Sequence, residues 1–129
     1  MKYFVIAFAC AVLAGFSACG GSSDTIKSLQ ISPQQGQATA PKGVANFTAT
    51  GTFANSQSRL LTSQDGLMWS SSDTAVATIN SLTGQATCLG AGSAVITGSV
   101  PNDLTYQGGA HSSSTNVSGT AGLQCIVSG

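Results

Sequence analysis

Residues 69–98, WSSSDTAVATINSLTGQATCLGAGSAVITG, tell more about the fold of this chain than any other stretch. Apolar residues recur at every second position in short runs, as at Ala94 and Ile96, and turn-forming residues such as Gly, Asn and Asp separate the runs. A period of two is typical of strands that bury one face. The stretch therefore predicts the short strands of a small β-sandwich.

The clearest alternation of apolar and polar residues lies just before this stretch, in residues 44–53. Asn46 and three threonines occupy one side of the predicted strand. The other side carries Ala45, Phe47, Ala49, Gly51 and Phe53. Because successive side chains of a strand point to opposite faces, we expect the second set to face the core.

Further strand patterns extend the sandwich in both directions. Residues 26–31 predict a first strand that ends before Pro33, and residues 115–128 predict one or two final strands. The polar residues 33–42 predict a loose crossing, and residues 99–114 predict a long loop. With about seven strands and no helical period after the N-terminal region, the predicted fold is all-β.

Composition limits the classes of function. The 129 residues suffice for one domain, and only 6% of them are charged, with four Lys or Arg and four Asp. Without a basic stripe to neutralise phosphates, no nucleic-acid partner is expected.

The N-terminal residues have the layout of a secretory signal. Lys2 precedes an apolar run at residues 3–16, and small residues follow it. About 14 apolar residues match the core of a signal peptide, whereas a membrane-spanning helix needs about 20. The protein is therefore predicted to be exported.

The cleavage region, residues 13–21 (LAGFSACGG), resembles the lipobox of bacterial lipoproteins. In that family an invariant cysteine is acylated and becomes the new N-terminus. The resemblance implies lipidation of Cys19, a lipoprotein signal peptide at 1–18, and a Gly/Ser linker at 19–25. Phe16 stands where the family has Leu, Val or Ile, so cleavage near Ala18 and a secreted or periplasmic product form the alternative.

Two cysteines then remain in the exported domain. Cys10 leaves with the signal and Cys19 takes the lipid, so Cys88 and Cys125 have only each other as internal partners in an oxidising compartment. A bridge between them is predicted to stabilise the domain by about 4 kcal/mol. Two buried thiols, or an unpaired Cys125, are the alternatives.

Several motifs together resemble the bacterial Ig-like domain of group 2, found in intimin-type and invasin-type adhesins. They run in the family's order: LQISP at 29–33, FTATG at 47–51, WSSSD at 69–73, VATI at 76–79, TG at 83–84 and GSAVIT at 92–97. The resemblance covers residues 26–98 and implies an Ig-like sandwich over 26–129, with an additional strand region at 99–129.

The resemblance implies a non-enzymatic, lipid-anchored cell-envelope protein of the outer membrane or cell surface, which mediates adhesion or protein contacts. Its expected partners are the membrane, through the lipid, and a surface protein or a polysaccharide. A purely structural envelope module is one alternative, and a carbohydrate-binding or hydrolytic domain is another.

The residues that carry chemistry are few. His111 lies among serines without a GxSxG motif, and the single aspartates lack metal-ligand spacing, so no catalytic residue, metal or cofactor is predicted. Tyr106 and His111, in the predicted long loop, are the candidate ligand contacts.

Overall fold

The computed structural model describes residues 24–108 and 114–128, which form a β-sandwich. These residues contain ten strands and a single turn of 3₁₀ helix at Ser63–Asp65. The strands are β1 (Ile26–Ser32), β2 (Gln35–Ala40), β3 (Val44–Asn46), β4 (Thr48–Phe53), β5 (Ser58–Leu60), β6 (Met68–Ser71), β7 (Ala77–Ile79), β8 (Gln85–Cys88), β9 (Gly92–Pro101) and β10 (Asn116–Val127). Within the described ranges no helix is long and apolar enough to cross a membrane.

The strands form three sheets. The long sheet has the order β2-β10-β9-β6, the first short sheet β1-β4-β5, and the second short sheet β3-β8-β7. All pairs are antiparallel except β2 with β10, which run parallel. Both short sheets pack on the long sheet, since β1 contacts β10 and β9, and Cys88 of β8 is bonded to Cys125 of β10.

The all-β prediction is confirmed, but the strand count exceeds about seven for two reasons. The polar residues predicted as a loose crossing form β2, because β10 offers a parallel partner along Gln35–Ala40. Residues 44–53 divide into β3 and β4, which belong to different short sheets and meet at Phe47. In both places the chain changes sheet, and a residue pattern of period two does not reveal such a change.

The core includes most of the apolar set that the alternation predicts, although Ala45 is only partly buried. Phe47, Ala49 and Phe53 are at most 2% exposed, and Gly51 between them is buried. Trp69 is 5% exposed and lies in the same core. The sandwich therefore buries the face that the sequence pattern selects.

A disulfide links Cys88 to Cys125, as predicted, and excludes the alternatives with thiols. Their Cα atoms are 5.7 Å apart, within the usual range for a disulfide, and both residues are at most 1% exposed. The bond connects β8 to β10 and so fastens the second short sheet to the long sheet.

Two glycines allow β1 to lie close to the long sheet. Gly98 of β9 and Gly119 of β10 are directly opposite each other in the register. A Cβ atom on Gly98 would lie 2.9 Å from Ile31 Cδ1, and one on Gly119 would collide with the carbonyl oxygen of Leu29. This close approach needs glycine at position 119, because the backbone there cannot move aside as a side chain can.

Candidate interaction surfaces

Tyr106 lies at the end of the sandwich where the described chain begins. Its ring meets the Phe53 ring edge to face, with centroids 5.5 Å apart and an angle of 83° between the planes. Its backbone N–H donates to the Asp24 carbonyl at 3.0 Å. Tyr106 is partly buried, so part of its ring belongs to the core and only the remainder is accessible to a ligand.

Arg59 of β5 holds this loop against the sandwich. Its Nε donates to the Tyr106 carbonyl at 2.8 Å, and its guanidinium lies 5.4 Å from the Phe53 ring centroid. Two further N–H groups donate to the Asp65 carboxylate at 2.9 and 3.0 Å. The hydrogen bond to Asp65 raises the pKa of Arg59 more than partial burial lowers it. No motif in the sequence indicates this cluster.

The local sequence explains why Asp65 faces Arg59. Residues 62–66, TSQDG, form a capped 3₁₀ turn in which the Thr62 hydroxyl accepts from the Gln64 N–H. The Asp65 carboxylate accepts from the Thr62 N–H at 2.9 Å, and Gly66 closes the turn at a φ of +87°. The turn thus presents the carboxylate beside β5.

An apolar groove of about 300 Å³ opens between the two short sheets, where Phe47 connects β3 to β4. We refer to it as the waist groove. Leu67 and Trp69 contribute to its lining from the core, whereas Leu60 and Leu82 lie at its surface and are 62% and 55% exposed. Exposed leucines beside a concave apolar surface are typical of a contact site.

The turn after β7 explains the exposure of Leu82. The Asn80 side-chain oxygen accepts from the N–H groups of Leu82 and Thr83, at 2.9 and 3.1 Å. Gly84 closes the turn at a φ of +77°, where an added Cβ would lie 2.9 Å from the Trp69 ring. The only sequence signal for this position is a large apolar residue inside an otherwise polar turn.

The outward face of the long sheet is uncharged and combines Ser, Thr and Gln with the exposed apolar residues Met68, Val95 and Ile126. Its strands β2, β6, β9 and β10 contain no Asp, Glu, Lys or Arg. A shallow groove of about 180 Å³ crosses it beside Gln35, Val95 and Gln124. Ser93 donates to the Gln124 side-chain oxygen at 2.9 Å, so the polar groups there partly satisfy one another.

Exposed apolar residues also lie at the end of the sandwich that carries the disulfide. Val44, Leu89 and Val127 are 49%, 48% and 59% exposed. The Lys42 N–H donates to the Cys88 carbonyl at 2.8 Å, which places the β2–β3 connection beside Leu89. These residues give this end a mixed apolar and basic character.

The predicted site residues have different outcomes. The structure brings Cys88 and Cys125 together and places Tyr106 against Phe53. Cys19 and His111 lie outside the described residues, so lipidation and a ligand contact at His111 stay predictions. Among residues 24–108 and 114–128, no cluster of His, Cys, Asp or Glu has a metal-binding arrangement.

Comparison with known families gives one match. Residues 59–101 match the family model described as "Intimin, immunoglobulin-like domain". The match runs from β5 through β9 and therefore includes the waist-facing Leu60, Trp69 and Leu82. It supports a bacterial immunoglobulin-like domain, while the group 2 assignment stays a prediction. No curated protein matches the chain.

Proposed function

We propose that this protein is a non-enzymatic, lipid-anchored protein of the bacterial cell envelope, whose immunoglobulin-like domain mediates adhesion or other protein contacts. The observation that carries the proposal is the match of residues 59–101 to an intimin-type immunoglobulin-like domain. The all-β sandwich formed by the described residues supports it.

The waist groove supports a protein contact in particular. Protein interfaces bury a central apolar patch surrounded by polar groups. Leu60 and Leu82 supply exposed apolar surface, and Thr62, Ser63 and Thr83 add hydroxyls around the same groove. Apart from Phe47, Thr48 and Ala49, the residues that line the groove lie within the matched range, which connects most of this surface to the family resemblance.

The lipid anchor is proposed at Cys19, after a signal peptide at 1–18 and before the linker at 19–25. The lipobox-like residues 13–21 support this assignment. The Cys88–Cys125 disulfide also supports export, because disulfides persist in oxidising compartments such as the periplasm or the cell surface. The domain then occupies residues 26–129.

Mass spectrometry and membrane fractionation test the anchor. We expect the mature wild-type protein to begin at an acylated Cys19 and to fractionate with membranes. The Cys19→Ser variant should lose the acyl mass and leave the membrane fraction. Membrane retention of Cys19→Ser, or a mature N-terminus without a lipid, would refute the anchor.

Partner capture tests the contact function. Wild type, Leu60→Ser/Leu82→Ser and the control Val95→Ser, which changes an exposed residue on the opposite sheet, are crosslinked in intact envelopes. A protein captured by wild type and Val95→Ser, but lost from the double variant, supports a contact at the waist groove. Identical capture by all three and by an unrelated lipoprotein would instead indicate a purely structural module.

A further inference from the structure

We infer that the sandwich is oriented with its Tyr106 end toward the lipid bilayer and its Lys42 end away from it. The inference rests on the proposed lipidation of Cys19 and names the membrane as the partner of one particular end of the domain. The orientation also determines which surfaces remain accessible to a large folded partner.

The chain enters the sandwich at the end that carries Tyr106. The Asp24 carbonyl accepts from Tyr106, the Ile26 N–H donates to the Leu104 carbonyl at 2.8 Å, and the Thr25 carbonyl accepts from Ala54 at 2.8 Å. These bonds join three segments at one end of the sandwich, which we name the entry end. It consists of residues 24–26, 53–57 and 102–108.

The tether, residues 19–24, limits how far the sandwich can lie from the lipid. Cys19 and Asp24 are five residues apart in the sequence. Even a fully extended chain covers only about 3.6 Å per residue, so the two Cα atoms are at most about 18 Å apart. With Cys19 acylated at the bilayer surface, this covalent limit holds Asp24 close to the headgroups, whatever conformation the tether adopts.

The sandwich is longer than the tether. Strand β10 has twelve residues, which at about 3.3 Å per residue extend roughly 36 Å. It begins at Asn116, opposite Pro101 and close to the entry end, and it ends at Val127, opposite Ala40. The far end, which carries Lys42, Leu89 and Val127, is therefore about two tether lengths from the entry end.

The charge distribution does not favour a sandwich that lies flat on the membrane. The strands of the long sheet carry no charged residue, and anionic lipids attract proteins through clusters of Lys and Arg. Near the entry end, Lys27 and Arg59 are outnumbered by the three aspartates Asp24, Asp65 and Asp103. Proximity to the bilayer therefore comes from the tether rather than from attraction between the surfaces.

This orientation restricts the Tyr106 loop. A folded domain of about 100 residues has a radius of gyration of about 13 Å and therefore a width of at least about 26 Å, which exceeds the gap of about 18 Å under the entry end. Lipid headgroups and small molecules fit that gap, but a folded partner does not. The waist groove and the far end are therefore the surfaces that remain accessible to a folded partner.

Energy transfer from the protein to the membrane tests the orientation. Gln57→Cys at the entry end and Ala91→Cys at the far end, both exposed, carry a donor dye in the full lipidated protein. The protein is reconstituted into phosphatidylcholine vesicles that contain a headgroup-linked acceptor, without reductant, so that the buried disulfide stays intact. We expect transfer from position 57 to exceed transfer from position 91 by about twofold or more, because of the roughly 36 Å between the two ends.

The outcomes separate the orientation from the anchor. Acylated protein that floats with vesicles but transfers equally from both positions, or more from position 91, overturns the orientation alone. Protein without an acyl chain overturns the proposed anchor and the orientation with it. Adding Cys19→Ser to each labelled variant should abolish both signals, and persistent vesicle binding would contradict the absence of surface attraction.

Discussion

The two short sheets pack on the same long sheet by different means. The first short sheet contributes large apolar side chains, namely Ile26, Leu29, Ile31 and Phe53, all at most 7% exposed. The second contributes Ala77, Ala86 and Cys88, all 0% exposed, and only Cys88 is covalently bonded across the sandwich. One half of the core therefore depends on apolar surface, and the other depends on small residues and a covalent bond.

The two halves of the core are stabilised by different physical effects. Apolar burial contributes about 25 cal/mol per Å², so alanines contribute much less than leucine, isoleucine or phenylalanine. A disulfide stabilises by restricting the unfolded chain and does not require a large buried side chain. The second half should therefore depend on the oxidation state, and the first half should not.

Removal of the disulfide should have the largest effect on stability and should reveal the difference between the two halves of the core. We expect Cys88→Ala/Cys125→Ala to lose about 4 kcal/mol of unfolding free energy, since the bond joins cysteines 37 positions apart and closes a long loop in the unfolded chain. Urea denaturation measures the loss, and hydrogen exchange should show that amides of β7 and β8 exchange before those of β1 and β4. Wild type treated with a reductant serves as the control, and it should show the same loss of unfolding free energy and the same order of exchange as the double variant. Equal exchange in both halves would contradict the uneven core.

A cavity in the first half should have the next largest effect. Ile31 is 0% exposed, and Ile31→Ala is expected to cost about 3 kcal/mol through lost burial and a residual cavity. The matched change in the second half, Ala86→Gly, should cost only about 1 kcal/mol, mainly from backbone entropy. Urea midpoints of the two variants measure the difference, and similar losses would show that both halves depend equally on side-chain burial.

Crowding between β1 and the long sheet provides a third test. Gly119→Ala is expected to cost about 2 kcal/mol, because the new methyl group would collide with the Leu29 carbonyl. Gly122→Ala is a control on the same strand, where the methyl group would meet the exposed Gln35 side chain, which can move. Thermal unfolding compares the two, and equal stability would mean that β1 is not closely packed there.

The smallest expected effect concerns the Arg59 cluster at the entry end. The side chains of Arg59 and Asp65 are 26% and 13% exposed, so screening by solvent limits the value of their ion pair. Arg59→Ala should cost about 1 kcal/mol, and it should also speed hydrogen exchange at Tyr106. Arg59→Lys keeps the charge without the paired hydrogen bonds, and it should restore part of the stability but not the slow exchange. Unchanged exchange in Arg59→Ala would show that other contacts hold the loop.

Much of the fold could be predicted because its physical cause is local in the sequence. The alternation through Phe47, Ala49 and Phe53 places these residues in the core, whichever strands pair with them. The disulfide followed from the small number of cysteines and the expected compartment. Strand β2 could not be predicted, because its Gln, Gly and Ala residues have low strand propensity and it depends on pairing with distant β10.

The candidate sites were less predictable than the fold. The waist groove is formed by residues from β4, β5, β6, the segment 61–67 and the turn at 80–84, so its shape exists only after the sheets have packed. The Arg59 cluster joins β5 to a loop 47 positions later in the sequence. Neither arrangement has a period or motif that a single segment could reveal.

The amino-acid sequence alone determined the strand character, the inward faces and the cysteine pair, because alternation and residue type act over a few positions. Three features came from the tertiary structure: the passage of the chain from the first short sheet to the long sheet after β1, the division of the core between the two short sheets, and the set of apolar side chains that stay exposed. Those features depend on contacts between residues far apart in the chain, whose pairing is decided by the packing of the whole sandwich.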